Sequence, residues 1–109
     1  MIVVTCVCVP QPGQEEESKA AARELTEKSQ DHKGLIGYFW NLDEDTQDLH
    51  VIEVHQNEAS VLNHMALTDF ARLGSITTVK DIRVFGDPPS PALVQALSGF
   101  GEYKIYRSL

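Results

Sequence analysis

Leu49–Gly74, LHVIEVHQNEASVLNHMALTDFARLG, decides the fold, because its apolar residues change period halfway along. Val51, Glu53 and His55 alternate with Ile52 and Val54 at the period of two expected of a strand. Beyond Asn57, the apolar residues Val61, Leu62, Met65 and Leu73 recur at helical spacing. A strand therefore runs into an amphipathic helix with almost no linker. Asn57 suits the N-cap, Glu58 sets a negative charge in the first turn, and Gly74 is expected just past the helix end in the left-handed region.

The rest of the chain is placed from this joint. Ile2 to Val9 is almost continuously β-favouring, as in a strand covered on both faces, and Pro10, Pro12 and Gly13 end it. Val4, Cys6 and Cys8 share one face of that strand. Gln14 to Asp31 reads as a helix with a thin apolar stripe at Ala21, Ala22 and Leu25. Gly34 opens a strand over Leu35–Leu42, which sets Tyr38 and Trp40 on one face and Phe39 on the other; the acidic DEDTQD then turns the chain back into Leu49–His55. Ile76–Phe85 supplies a fourth strand. The order is βαββαβ, an α+β ferredoxin-like antiparallel sheet.

Residues 1–109 form a single domain with a C-terminal extension over 88–109. In the extension, Ser90 caps a short helix with Pro91 at its first position and Gly99 beyond its end, and Glu102–Arg107 reads as one more strand. Since βαββαβ is complete without it, the extension is expected along an edge, at the partner subunit, where it would cover open backbone groups.

The formal net charge is −7, with acids bunched at Glu15–Glu17 and Asp43–Asp48 and no cluster of Lys or Arg, which disfavours nucleic acid and anionic membrane as partners. Cys6 and Cys8 are the only cysteines, and at i, i+2 on a strand their geometry discourages a mutual disulfide, so a reduced, cytoplasmic protein is expected. The opening MIVVTCVCV is too short to span a membrane and lacks a basic leader. No metal is expected, because the CxC has no second Cys pair and the histidines are scattered at 32, 50, 55 and 64. Phosphate-cradling glycine loops, GxSxG, HExxH and EF-hand loops are all absent, and no cofactor is called for.

Glu53, the slot at His55, Ala59, His64 and Phe70 are spaced as in the antibiotic biosynthesis monooxygenase-like family of dimeric α/β barrels, which includes small quinol monooxygenases. That family often reads Glu, one residue, Trp, then a helix carrying Ala and His; this chain resembles it without a gap from Glu53 to Phe70, with His55 in the Trp slot. Weaker agreement reaches back through Gly34–Tyr38 and Gly13 to Met1–Val9. The resemblance implies a homodimer, with one sheet face on its own helices and the other on the partner. Val4, Cys6 and Val51 are expected among the residues that the partner covers. Haem-degrading relatives use an Asn, a Trp and a His in slots that here hold Cys6, His64 and Gly74, and Gly74 cannot ligate iron, so that branch is not expected.

The resemblance makes His64 the first candidate base, with Glu53 and His55 assisting. An imidazole takes and gives protons near neutral pH. Cys6, Tyr38, Trp40 and Phe70 are the candidate substrate-binding residues, and Arg72 or Arg83 could stabilise an oxyanion. Each also has a structural reading: His64 as a packing residue, Glu53 and His55 as an internal hydrogen bond, the aromatics as sheet core, the arginines as surface. Three functions stay open on this scaffold. The first is a cofactor-independent monooxygenase acting on a small phenolic, quinol or polyketide-like aromatic. The second is a dimeric barrel that binds a small ligand or partner without turnover, and the third is an isomerase or cyclase.

Overall fold

In a computed structural model that describes all 109 residues, the elements run β1 (Ile2–Pro10), α1 (Glu15–Lys28), β2 (Leu35–Leu42), β3 (Leu49–His55), α2 (Glu58–Leu67), α3 (Ala71–Ile76), β4 (Thr77–Gly86), α4 (Pro91–Ser98) and β5 (Tyr103–Arg107). The strands lie in the order β2-β3-β1-β4-β5. The first four pair antiparallel in the ferredoxin-like arrangement, and β5 adds to the β4 edge in parallel. The hairpin falls where strand period and acidic turn put it.

The joint at Asn57 forms as expected: its side chain accepts from the Ser60 amide at 3.0 Å and starts α2. The expected single helix up to Gly74 is instead two. Thr68 turns to an extended backbone, its amide donates to the His64 carbonyl at 3.0 Å, and its hydroxyl donates to the same oxygen. Asp69 then accepts from the Ala71 amide at 3.0 Å and starts α3. Short polar side chains thus compete with the helical ladder at Thr68 and Asp69, and Gly74 lies inside α3 instead of past a helix end.

β4 carries a bulge that matters for the site. Thr5 pairs with Arg83 but Val7 pairs with Lys80, so Asp81 and Ile82 together oppose Cys6, and Asp81 takes a φ of +53°. The bulge reverses which side chains face inward: Thr77 and Val79 before it, Ile82 and Val84 after it. The sheet is thereby loosened opposite Cys6.

The core on the helix side falls into two clusters. One joins Ile2, Val4, Val61 and Val84 to Leu93 and Leu97 of α4; the other joins Cys8, Leu49 and Leu73 to Ala21, Ala22 and Leu25 of α1. The extension is therefore more than an edge addition: β5 takes the β4 edge, while α4 enters the core. Leu93 is 0% exposed, and the Glu58 carboxylate accepts from the Ser90 amide at 2.7 Å, tying the start of α4 to α2. The sequence argument failed here because a complete strand order does not guarantee a covered sheet: without α4 the inner face around Val4 and Val84 would stand open.

The bare face is also not the one expected. Val4, Cys6 and Val51 point to the helices, while the uncovered side of the sheet presents Phe39, 56% exposed, Ile52, Val54, and a stacked Phe85–Tyr106 pair at 4.8 Å. Gly37 makes room for the Phe39 ring, which lies where a Cβ would stand.

Truncating Leu93 to Ala is predicted to cost about 2–5 kcal/mol, the range for a buried Leu whose site cannot collapse. Chemical denaturation reads this directly. A variant as stable as the parent would return the extension to the periphery.

Candidate active site

Between the two core clusters lies a cavity of about 400 Å³, roofed by α2, α3 and α4 and floored by the sheet. Its walls are mostly aliphatic, among them Val4, Val51, Val61, Leu73 and Ile82, with Trp40, Phe70 and Phe100 as aromatic surfaces. Phe70 and Phe100 meet edge to face at 5.4 Å, near the exposed Gly99 and Gly74. Glu53 is the one carboxylate in the wall; Cys6 and Cys8 also reach it.

Glu53 is held from behind. His55, two residues on and fully buried, brings Nε2 to 2.8 Å from Glu53 Oε1, and its Nδ1 lies 2.8 Å from Ser60 Oγ. One proton arrangement satisfies all three groups: the Ser60 hydroxyl donates to Nδ1, and His55 Nε2–H donates to the carboxylate. The reverse tautomer would set an imidazole lone pair against a carboxylate lone pair. Ser60 is itself locked, since Gly34, at φ +81°, lies so close that a Cβ there would stand 2.7 Å from the Ser60 Cβ. Only glycine fits both that backbone and that approach.

The other carboxylate oxygen, Oε2, lies 3.8 Å from Nε2 of the buried His64. His64 Nδ1 in turn lies 2.8 Å from Nδ1 of His32, on the turn after α1. Tyr38 stacks edge-on against His64 at 4.9 Å, and Phe70 closes its other side at 6.2 Å. Three buried polar groups have no hydrogen-bond partner here: His64 Nε2, Trp40 Nε1 and the Tyr38 hydroxyl. Buried polar atoms are rarely left so unless something else supplies a partner.

Burial pushes the His64 imidazole below its usual range, and neighbouring His55 and His32 push it further, against an upward pull from Glu53. Tyr38 is pushed well up, by burial first and by the Glu53 charge second, so its phenol stays protonated. The Cys6 thiol is raised by its contact with Cys8, by burial, and by the Glu53 charge; it is a small apolar wall group, not a nucleophile.

The expected residues Glu53, Cys6, Trp40 and Phe70 line the cavity, and His64, His55 and Tyr38 stand directly behind its wall without lining it. Arg72 and Arg83 are elsewhere. Arg72 clamps α3 to α1 through Glu24 at 2.6 Å and Glu17 at 3.0 Å, and Arg83 is exposed on the outer sheet face. Sequence reasoning missed His32 and Ser60, which come to the site from a turn and from beneath Gly34. It also missed Leu97, Gly99 and Phe100, which the extension adds to the wall. The Asn57 cap was the available signal for Ser60, because it fixes that residue on the inner side of the first helical turn.

The sequence profile described as antibiotic biosynthesis monooxygenase matches residues 1–73. Comparison with curated proteins gives no match. Among solved structures, the chain is similar to MupZ from Pseudomonas fluorescens, with a TM-score of 0.80 and 17% identity over 99% of this chain and 89% of that one. It is also similar to Rv0793 from Mycobacterium tuberculosis (TM-score 0.70, 16% identity, 83% and 97% of the two chains). A conserved protein from Methanosarcina mazei Go1 gives a TM-score of 0.65 and 21% identity over 76% and 86%. At these identities the likeness is one of fold. The match to MupZ takes in α4 and β5, which lie beyond the matched family region.

A depressed His64 has a signed consequence for stability. The unfolded imidazole takes a proton near its ordinary value of ~6.5 and the folded one resists until lower pH. Its contribution is therefore complete above that value and falls as pH drops through it towards the folded value. The melting temperature is predicted to fall more steeply between pH 7.5 and 5.5 in the native protein than in His64→Leu. Parallel slopes would mean that the folded His64 is not depressed.

Proposed function

The chain belongs to the antibiotic biosynthesis monooxygenase family, and from that membership and the chemistry of its cavity we propose that it is a cofactor-independent monooxygenase of a small phenolic, quinol or polyketide-like aromatic. The observation that carries the reading is Glu53: a carboxylate with one oxygen fixed by His55, offered to an otherwise apolar cavity of about 400 Å³. That volume suits a ligand of one to three rings.

In this reading Glu53, not His64, touches the substrate. Glu53 Oε2 accepts the phenolic proton, and His64 stands behind it to receive the proton next. Trp40 Nε1–H, otherwise without an acceptor, donates to an oxygen of the substrate. The phenolate passes an electron to O2, and the radical pair combines at ring carbon to a peroxide anion, which takes a proton back from the Glu53 side to become the hydroperoxide. Loss of water then leaves the quinone, so that one oxygen atom ends in product and one in water. The aliphatic walls keep bulk water from the anion and the peroxide. The protein contributes position and proton management.

We further propose that the uncovered sheet face binds a second copy of the chain. Phe39, Ile52, Val54 and the Phe85–Tyr106 stack make this side of the sheet largely apolar, and two such faces joined about a two-fold axis would bury an obligate-type area above ~2,000 Å². Tyr106 and Lys104 lie on that face of β5, so the extension would take part in the interface as well as in the core.

Oxygen consumption with a panel of hydroquinones and naphthols tests the activity. Glu53→Gln is predicted to lower kcat by about 10² or more with the fold intact. If no phenol is oxidised while one of them raises the melting temperature, the chain is a binding barrel instead. Sedimentation is predicted to show a dimer at micromolar concentration, and Phe39→Lys should weaken it; a stable native monomer would remove the proposed interface.

A further inference from the structure

Two polar branches leave Glu53, and they differ in where they end. From Oε1 the line runs through His55 to Ser60, which is buried beneath Gly34 and hands on to nothing. From Oε2 it runs through His64 to His32, and His32 is half-exposed in a second cavity of about 310 Å³, between α1 and the joint of α2 with α3. That second cavity is polar, lined by Glu24, Lys28, Ser29, Thr68, Asp69 and Arg72. The two cavities share Leu73, yet their characters are opposite: one mostly aliphatic, the other lined by charge.

We propose that His64 and His32 form a proton relay that connects Glu53 in the apolar cavity with solvent in the polar cleft. The inference rests on the reading of Glu53 as the base. The reaction takes a proton from the phenol and later returns one to the peroxide anion, so protons must pass both ways between Glu53 and solvent, and the Ser60 branch offers no such path. Along the other branch, the proton on Glu53 Oε2 moves to His64 Nε2 as the proton on His64 Nδ1 moves to His32 Nδ1. His32 then releases its Nε2 proton to water in the cleft. Each imidazole gains one proton and gives one up, which leaves Glu53 ionised and both rings neutral in the reversed tautomers; the proton that the peroxide needs returns along the same line in the opposite direction and restores them.

The geometry supports a relay over mere packing. His32 Nδ1 and His64 Nδ1 are 2.8 Å apart, so one donates and the other accepts, and the pair can exchange those roles. His32 is fixed at both backbone ends: its amide donates to the Ser29 carbonyl at 3.1 Å, and its carbonyl accepts from Leu35 at 3.2 Å. The one long step is Glu53 Oε2 to His64 Nε2, at 3.8 Å, and His64 Nε2 has no other partner. A proton crosses only when that gap closes to the ~3 Å of a hydrogen bond, which makes Glu53 movement on substrate binding the gate.

The groups facing the relay are few. His64 meets Glu53 and His55 from β3, Tyr38 from β2, and Thr68 at the end of α2, whose hydroxyl lies 3.3 Å from Nδ1. Around His32, Glu24 is taken up by Lys28 at 2.7 Å and by Arg72, which leaves Asp69 as the carboxylate not held in an ion pair in the cleft.

His32→Gln is the informative variant, because the amide oxygen can still accept from His64 Nδ1–H but cannot pass a proton on. A structural role would survive it. We expect kcat to fall about tenfold with KM unchanged, and added imidazole, small enough for the cleft, to restore most of the loss. The second measurement needs no substrate. In protein with ¹⁵N-labelled histidine, exchange of the His64 ring proton with water should slow at least about tenfold in His32→Gln, and the native His64 signal should report hydrogen bonding at Nδ1. Unchanged exchange, or a native His64 whose Nδ1 is unbonded, overturns the relay even if phenols are oxidised. Slowed exchange in a protein that oxidises no phenol upholds the relay and overturns the monooxygenase reading. Turnover with kcat insensitive to His32→Gln upholds the enzyme and overturns the relay.

Discussion

The structure around the cavity depends on one constraint: a carboxylate, Glu53, sits in an apolar wall and must be kept hydrogen-bonded there. An unpaired buried carboxylate costs several kcal/mol or takes up a proton. The chain meets that need with His55, on the same face of the same strand, and with Ser60, whose place is set by the Asn57 cap. Gly34 follows from the same demand, since any side chain there would displace Ser60. A turn glycine, a helix cap and a strand histidine thus serve one oxygen atom, and they leave the second oxygen with His64 Nε2, at 3.8 Å, as its nearest polar neighbour.

The cavity exists because the core is divided. On one side α4 packs Leu93 and Leu97 against β1 and β4; on the other α1 and α3 pack against Cys8 and Leu49. The bulge at Asp81–Ile82, opposite Cys6, keeps the strands from presenting a continuous row of inward side chains between these halves. Filling that space with larger side chains would gain contacts and remove the site. The break between α2 and α3 acts in the same direction: it turns Phe70 towards His64 and lets the cavity open towards Phe100.

Much of this was legible in the residues. The period switch at Asn57 gave both the strand and the helix start, and the acidic turn after Leu42 gave the hairpin with its bounds. Pro91 and Gly99 bracketed α4. Glu53, Cys6, Trp40 and Phe70 could be placed together because strand alternation and the family spacing agreed. What could not be read depends on non-local packing. Helical periodicity carries through Thr68 and Asp69, so the break there emerges only from their side chains bonding the local backbone. The extension looked dispensable because βαββαβ is complete in order, although Leu93 shows it is not complete in burial. His32 was one scattered histidine until the turn after α1 set it against α2, more than thirty residues away in sequence. The bare face was assigned the wrong residues, since alternation says which side chains share a face but not which face the helices cover.

The central claim is that Glu53 Oε2 is the atom that meets the substrate's acidic oxygen. A crystal structure of the protein with a naphthol or hydroquinone bound under anaerobic conditions tests it most directly. The account predicts the ligand ring between Phe70 and the sheet, with its hydroxyl about 2.6–3.2 Å from Glu53 Oε2, the reach required of a general base. A ligand whose hydroxyl points to the Phe100 end, away from Glu53, or that lies outside this cavity, would contradict it.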